Sequence, residues 1–219
     1  MTSTAERIAT TTPTLHWLGR VEYEPTWRAM QRFTDERTPD TADQIWFLEH
    51  PPIFTLGISG KPEHVLAPGG IPVVNVDRGG QVTYHGPGQL VVYPLLDMRR
   101  AGLHVRQLVV GLENAVIEFC RARGIEAIGR RDAPGIYVAG HKLASVGLRV
   151  RRGCSYHGLA FNIAMDLEPF QRINPCGYAG LRVVDLKTLG VADSLANVAH
   201  ALAPHLLSTL DLPCDAAWI

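Results

Sequence analysis

The chain has 219 residues, 46% of them hydrophobic, with 21 basic and 21 acidic side chains and no net charge. That balance argues against a dedicated nucleic-acid binder, which carries a basic surplus, while the apolar content suffices for a sizeable core. No apolar run reaches the length of a membrane span. Cys120, Cys154, Cys176 and Cys214 are spaced too irregularly for a disulfide framework or a zinc site, so free thiols in a reducing cytosol are expected.

Residues 1–13 are Thr-rich and polar, without the apolar stretch of a secretory leader, and are expected to form a disordered tail. Residues 25–33 read as a helix with Pro25 at a first helical position. Residues 44–50 read as a strand ended by Pro51-Pro52, and 53–56 as a short second one. The runs 71–76 and 90–96, β-branched and bounded by Gly and Pro, read as buried strands. Residues 104–123 are the clearest helix: Leu108, Leu112, Ala115, Val116 and Phe119 recur at helical spacing, and Gly124 stops it. Residues 135–139, 142–150 and 155–165 read as successive strands with Gly turns, and 181–189 as mixed. Residues 193–210 form a second amphipathic helix, capped by Asp193 or Ser194. Strands in runs and few helices predict an α+β fold with mixed, largely antiparallel sheets, not a doubly wound one.

Between the runs 71–76 and 90–96 lies a polar loop, Arg78, Gly79, Gly80, Gln81, Val82, Thr83, Tyr84, His85, Gly86, Pro87, Gly88, Gln89. Its glycines allow positive φ and close approach to another group, so it reads as a substrate-binding loop at the mouth of a sheet. It contains neither phosphate-loop pattern. Cys176 sits in a polar turn, where a reactive thiol belongs, whereas Cys120 lies beside the apolar face of a strong helix and reads as structural. Lys142 opens an apolar strand. It is equally a solvated edge residue or a desolvated acid or base. His85 and His157 occupy Gly-containing polar loops, so a Cys/His hydrolase pair stays open. The doublets Arg99-Arg100, Arg130-Arg131 and Arg151-Arg152 read singly as solvated turns and together as a surface for an acidic partner.

Four ordered blocks are together more specific than any one. The loop 78–90 with Tyr93, the strand from Lys142 through Ser145, Val146 and Gly147, the segment from His157 through Gly158, Leu159 and Ala160, and Pro175-Cys176-Gly177 closely resemble the lipoyl(octanoyl) transferases. The resemblance implies the fold of biotin and lipoate protein ligases, with residues 14–219 as a single catalytic domain. It implies Cys176 as acyl-thioester nucleophile and Lys142 as the residue that tunes it. Arg78 to His85, Ser145 to Gly147 and Gly158 to Ala160 would bind substrate. The implied donor is octanoyl-acyl carrier protein. The implied acceptors are lipoyl domains of 2-oxoacid dehydrogenase E2 subunits and the glycine cleavage H protein, in the cytoplasm, without ATP, metal, nucleic acid or membrane. Backbone N–H groups near Gly79-Gly80 or around Cys176 are the candidates to meet the oxyanion. The alternatives are an ATP-dependent lipoate or biotin protein ligase, a thiol hydrolase and a non-catalytic carrier-protein binding module.

Overall fold

The computed structural model describes residues 12–131 and 133–219, with Cys176 described by its backbone only. Most of the expected tail thus lies outside the described residues. A seven-stranded sheet has the order β1-β2-β6-β10-β9-β8-β7, and a three-stranded sheet the order β4-β3-β5. The strands are β1 (Thr14–Arg20), β2 (Gln44–Glu49), β3 (Ile53–Leu56), β4 (Val73–Asn75), β5 (Val82–His85), β6 (Gln89–Leu95), β7 (Ile128–Gly129), β8 (Ile136–Val138), β9 (His141–Arg151) and β10 (Cys154–Asn162). Among the described strands only β1 with β2 and β3 with β4 pair in parallel, so the sheets are mixed and largely antiparallel, as expected.

The helices are α1 (Tyr23–Glu36), α2 (Val105–Arg121) and α3 (Leu195–Thr209). Ser194 caps α3, its Oγ accepting from Asn197 N at 3.1 Å. The stripe Leu108, Leu112, Ala115, Val116 and Phe119 of α2 packs with Leu202 and Leu206 of α3 against Leu90, Val92 and Phe161 of the large sheet. Val91 and Tyr93 point to the opposite face, where Met30 and Tyr156 enclose them. β6 is therefore buried on both faces, which is why its sequence is an unbroken apolar run.

Two expectations change. The segment expected as a loop over 78–89 contains strand β5, because Val82, Thr83 and Tyr84 favour extended backbone and pair with β3; only its ends turn. The strand expected over 71–76 shrinks to β4. It is an edge strand with one neighbour, and Val73 is 41% exposed. Residues 181–189 hold no strand, only an isolated bridge from Val183 to Lys142. β1 had no signal because only its Leu15 is buried.

The arginine doublets divide. Arg100 is not solvated: its Nη2 donates to Asp43 Oδ1 at 2.8 Å and to Thr41 O at 2.8 Å. Arg37 meets the same carboxylate, which also accepts from Asp97 N at 2.8 Å. Arg151 and Arg152 both bond to Asp35, to its carboxylate and its carbonyl respectively.

Candidate active site

The two sheets approach each other over a narrow cleft. One wall is Val91 and Tyr93 of β6, His157 to Ala160 of β10, and Ser145 to Gly147 of β9. The other is Arg78 to Thr83 with His85, and Tyr23 and Lys142 complete the lining. The walls are tied together, Gly79 N donating to Leu148 O at 2.9 Å. At Gly147 a Cβ would stand 3.1 Å from Gly79 O, and at Gly158 it would overlap Val92 O. Those two positions take glycine because backbone approaches backbone there.

Every residue expected to bind substrate lines this cleft except Tyr84. Alternation along β5 turns the Tyr84 ring the other way, against Phe54 and Phe170. Arg78 is 7% exposed and works as an organiser of its own loop. Its Nη2 donates to Thr55 O at 2.7 Å and to Thr55 Oγ1 at 2.9 Å, and its Nη1 to Gly79 O at 2.9 Å.

Lys142 is only 2% exposed, at the start of β9. Its Nζ donates to Pro134 O at 2.9 Å and stands 5.5 Å from the centre of the Tyr137 ring. Gly135 leaves room for the butyl stem: a Cβ there would lie 2.6 Å from Lys142 Cε. The Lys142 backbone pairs with the segment that follows Cys176, its N donating to Arg182 O at 2.9 Å and its O accepting from Val184 N at 2.9 Å.

Cys176 lies in a single 3-10 turn, Pro175–Gly177, packed against β5. Its side chain lies outside the described residues. Gly177 is beside Gln81 and His64: a Cβ there would be 3.9 Å from Gln81 Nε2 and 3.5 Å from His64 Nε2. The expected oxyanion donors are partly engaged. The N–H groups of Gly177 and Tyr178 close the turn onto Asn174 O and Pro175 O, at 2.9 and 3.1 Å, and Gly79 N is held by Leu148 O. Of the other cysteines, Cys120 and Cys154 are buried, and burial pushes the Cys120 thiol up to about 12. Neither is a nucleophile at neutral pH.

Behind the cleft is a buried polar network. Tyr93 Oη and His50 Nε2 are 2.9 Å apart, and His50 Nδ1 bonds Val21 O at 2.7 Å. His85 Nδ1 and Gln89 Oε1 are 2.8 Å apart, and Gln89 Nε2 donates to Asn162 Oδ1 at 3.0 Å. Burial lowers His50 to about 4 and holds His85 well below its ordinary value, so both are neutral. His157 Nε2 is 2.9 Å from Asp77 Oδ1. Burial opposes charge on Asp77, but hydrogen bonds from His157, Tyr156 and Trp27 prevail and hold its carboxyl well below the usual range. Burial also lowers His157, against the pull of Asp77.

Sequence reading omitted Tyr23, Val91, Tyr93 and His157 from the lining. The period of two along β6 places Val91 and Tyr93 on one face, but nothing local in α1 assigns Tyr23 to the cleft.

The layered arrangement is that of lipoate and biotin protein ligases. It superposes on a lipoate-protein ligase A bound with ATP at a TM-score of 0.78 and 17% identity, covering 95% of this chain and 90% of that one. A biotin protein ligase from Aquifex aeolicus in complex with biotin and ATP gives 0.56 and 13%, covering 90% and 70%. The family model of the lipoyl protein ligase A/B catalytic domain matches residues 22–207. The octanoyltransferase of Alkalilimnicola ehrlichii is 60% identical over 196 residues, 90% of this chain and 91% of the relative. That of Chromobacterium violaceum is 58% identical, covering 86% and 91%. The chain belongs to the lipoyl protein ligase A/B catalytic family, on its octanoyltransferase branch, and is an acyltransferase. Among the described residues no helix is long and apolar enough to cross a membrane.

Proposed function

We propose that the protein moves an octanoyl group from octanoyl-acyl carrier protein to a lysine of lipoyl domains, through a thioester on Cys176. The acceptors would be the lipoyl domains of 2-oxoacid dehydrogenase E2 subunits and the glycine cleavage H protein, in the cytoplasm. One structural relative was solved as a bipartite lipoate protein ligase and its E2 lipoyl domain, which favours that acceptor class.

The observation that carries the reading is the buried Lys142, paired through its backbone to the segment after Cys176 and opening onto the cleft. The Cys176 thiolate adds to the thioester carbonyl, and the carrier's thiolate leaves. The acceptor's amine then adds to the acyl-enzyme, loses a proton and expels the Cys176 thiolate. The Lys142 ammonium favours the thiolate in the first step. The ammonium gives its proton to the departing carrier thiolate, and the neutral amine so formed accepts the proton of the acceptor's amine in the second step. Exchange of one thioester for another is nearly balanced and amide formation is downhill, so the route needs neither ATP nor metal.

Intact mass after incubation with octanoyl-acyl carrier protein, without ATP, tests this beside Cys176→Ser. A gain of one octanoyl group in the wild type only, discharged by a lipoyl domain, is expected. No adduct, with octanoylation of the lipoyl domain from the free acid once ATP is added, would make the protein a ligase. Release of free acid without an acceptor would make it a hydrolase.

A further inference from the structure

We propose that Glu113 of α2 is a positioning residue for Lys142 and acts on it through a single peptide group. The inference rests on reading Lys142 as the proton carrier beside Cys176. Glu113 Oε1 accepts from Gly135 N at 2.9 Å, and Pro134 O accepts from Lys142 Nζ at 2.9 Å. Pro134 O and Gly135 N are the two ends of one planar peptide. A carboxylate thus holds one end of a dipole whose other end holds the ammonium. A hydrogen bond at one end of a peptide strengthens the bond at the other.

The placement follows from the packing of α2 against β7, β8 and β9. Glu113 lies beside Leu112 and Val116, at the margin of the apolar stripe. Its Oε2 reaches β7, where a Cβ on Gly129 would stand 3.6 Å away. Gly135 has φ of 135°, which favours glycine, and a Cβ there would stand 2.6 Å from Ala144 O. The 134–135 peptide is therefore clamped between α2 and β9.

Two other titratable groups lie around Lys142. The Tyr137 hydroxyl of β8 donates to Ala133 O at 2.8 Å, and the Arg130 guanidinium is 5.0 Å from the Tyr137 ring centre. Cys176 is on the turn whose following segment pairs with the Lys142 backbone. Burial raises the Glu113 carboxyl above its ordinary value, and the Gly135 N–H and Lys142 pull it back. The attraction is mutual, so the carboxylate favours the ammonium form of Lys142. Pro134 O can accept from the ammonium or from the neutral amine, so it holds Lys142 in place through both half-reactions.

The chain has three lysines, Lys61, Lys142 and Lys187, so isotope-labelled lysine gives an NMR titration of each, with Lys142→Arg for assignment. Glu113→Gln keeps the shape and can still accept from Gly135 N–H; it removes only the charge. Two hydrogen bonds across one peptide put the opposite charges within about 8 Å of each other. The Lys142 inflection is therefore expected to fall by about 0.4 to 1.5 pH units in Glu113→Gln, with Lys61 and Lys187 unmoved. A Lys142 inflection within about 0.2 pH units of wild type overturns the proposal. In wild type, the Lys142 signal is expected to take a smaller step where the Glu113 carboxyl carbon titrates. If the variant fails to fold, the presence or absence of that step decides. Discharge of octanoyl-Cys176 by a lipoyl domain, followed against pH in both proteins, tests the functional reading separately. Its inflection should move down with that of Lys142. A moved Lys142 signal beside an unmoved discharge profile, or with no adduct formed at all, would sink Lys142 as proton carrier and leave its coupling to Glu113 standing.

Discussion

Acid should destabilise this protein well above the range where carboxylates titrate, and His50 makes the effect calculable. Its ordinary value is 6.5 and its folded value about 4, chiefly because it is buried. The neutral form is also the one its partners require. Nδ1–H donates to Val21 O, and Nε2 accepts from the Tyr93 hydroxyl. The folded value is depressed, so the unfolded chain binds the proton first as pH falls through 6.5. Stability is therefore full above that point and is lost progressively down to about pH 4. At about pH 5 the loss from His50 alone is about 2 kcal/mol, at about 1.4 kcal/mol per unit. His85 and His157, both lowered mainly by burial, act in the same direction. Asp77 acts in a lower window. Its carboxyl is held below its ordinary value of 3.8, so its contribution is present above that value and is lost only as pH falls further. The assay is urea unfolding of wild type and His50→Gln at half-unit steps between about pH 8 and pH 5. The variant starts less stable but should lose about 2 kcal/mol less across the range. A wild-type stability flat over that range, or a variant with the full wild-type slope, refutes the reasoning.

Gly158→Ala should be costly for a steric reason. The new Cβ would overlap Val92 O on the adjacent strand and stand 2.7 Å from Pro94 Cδ. Overpacking of this kind costs about 1–3 kcal/mol or more, read as a fall in the urea midpoint at constant slope. Asp43→Asn should cost about 3–5 kcal/mol, because it leaves the guanidinium groups of Arg37 and Arg100, both largely buried, without their shared anion. An unfolding free energy within about 1 kcal/mol of wild type would mean that this cluster is weakly coupled to the fold.

Much of the fold was legible because its strongest elements repeat simply. The α2 stripe recurs at helical spacing, and β6 is apolar throughout because both its faces are covered. What was illegible depends on neighbours. β1 has a single buried side chain and so no pattern to read; it is a strand because β2 pairs with it in parallel. β5 was hidden by its flanking glycines, which turn the chain at either end of a strand rather than making the whole stretch a loop. Tyr84 shows the same limit within the site. It belongs to the motif by sequence, yet the pleat directs it into the packing around Phe170.

The sequence by itself determined the chemical types and their order: a glycine-rich polar segment, Lys142 opening a strand, a second glycine-bearing segment and Cys176 in a turn. It also determined the α+β class, because helical and strand periods are local properties of the chain. Only the tertiary structure decided that Arg78 braces its own loop through Thr55, that Lys142 is buried, and that Tyr23 reaches the cleft from α1. It also decided which histidines are kept neutral. Each of these depends on which distant segments exclude water and supply partners at a given point. Burial and hydrogen-bond satisfaction arise from that packing and have no counterpart in the residue's immediate neighbours along the chain.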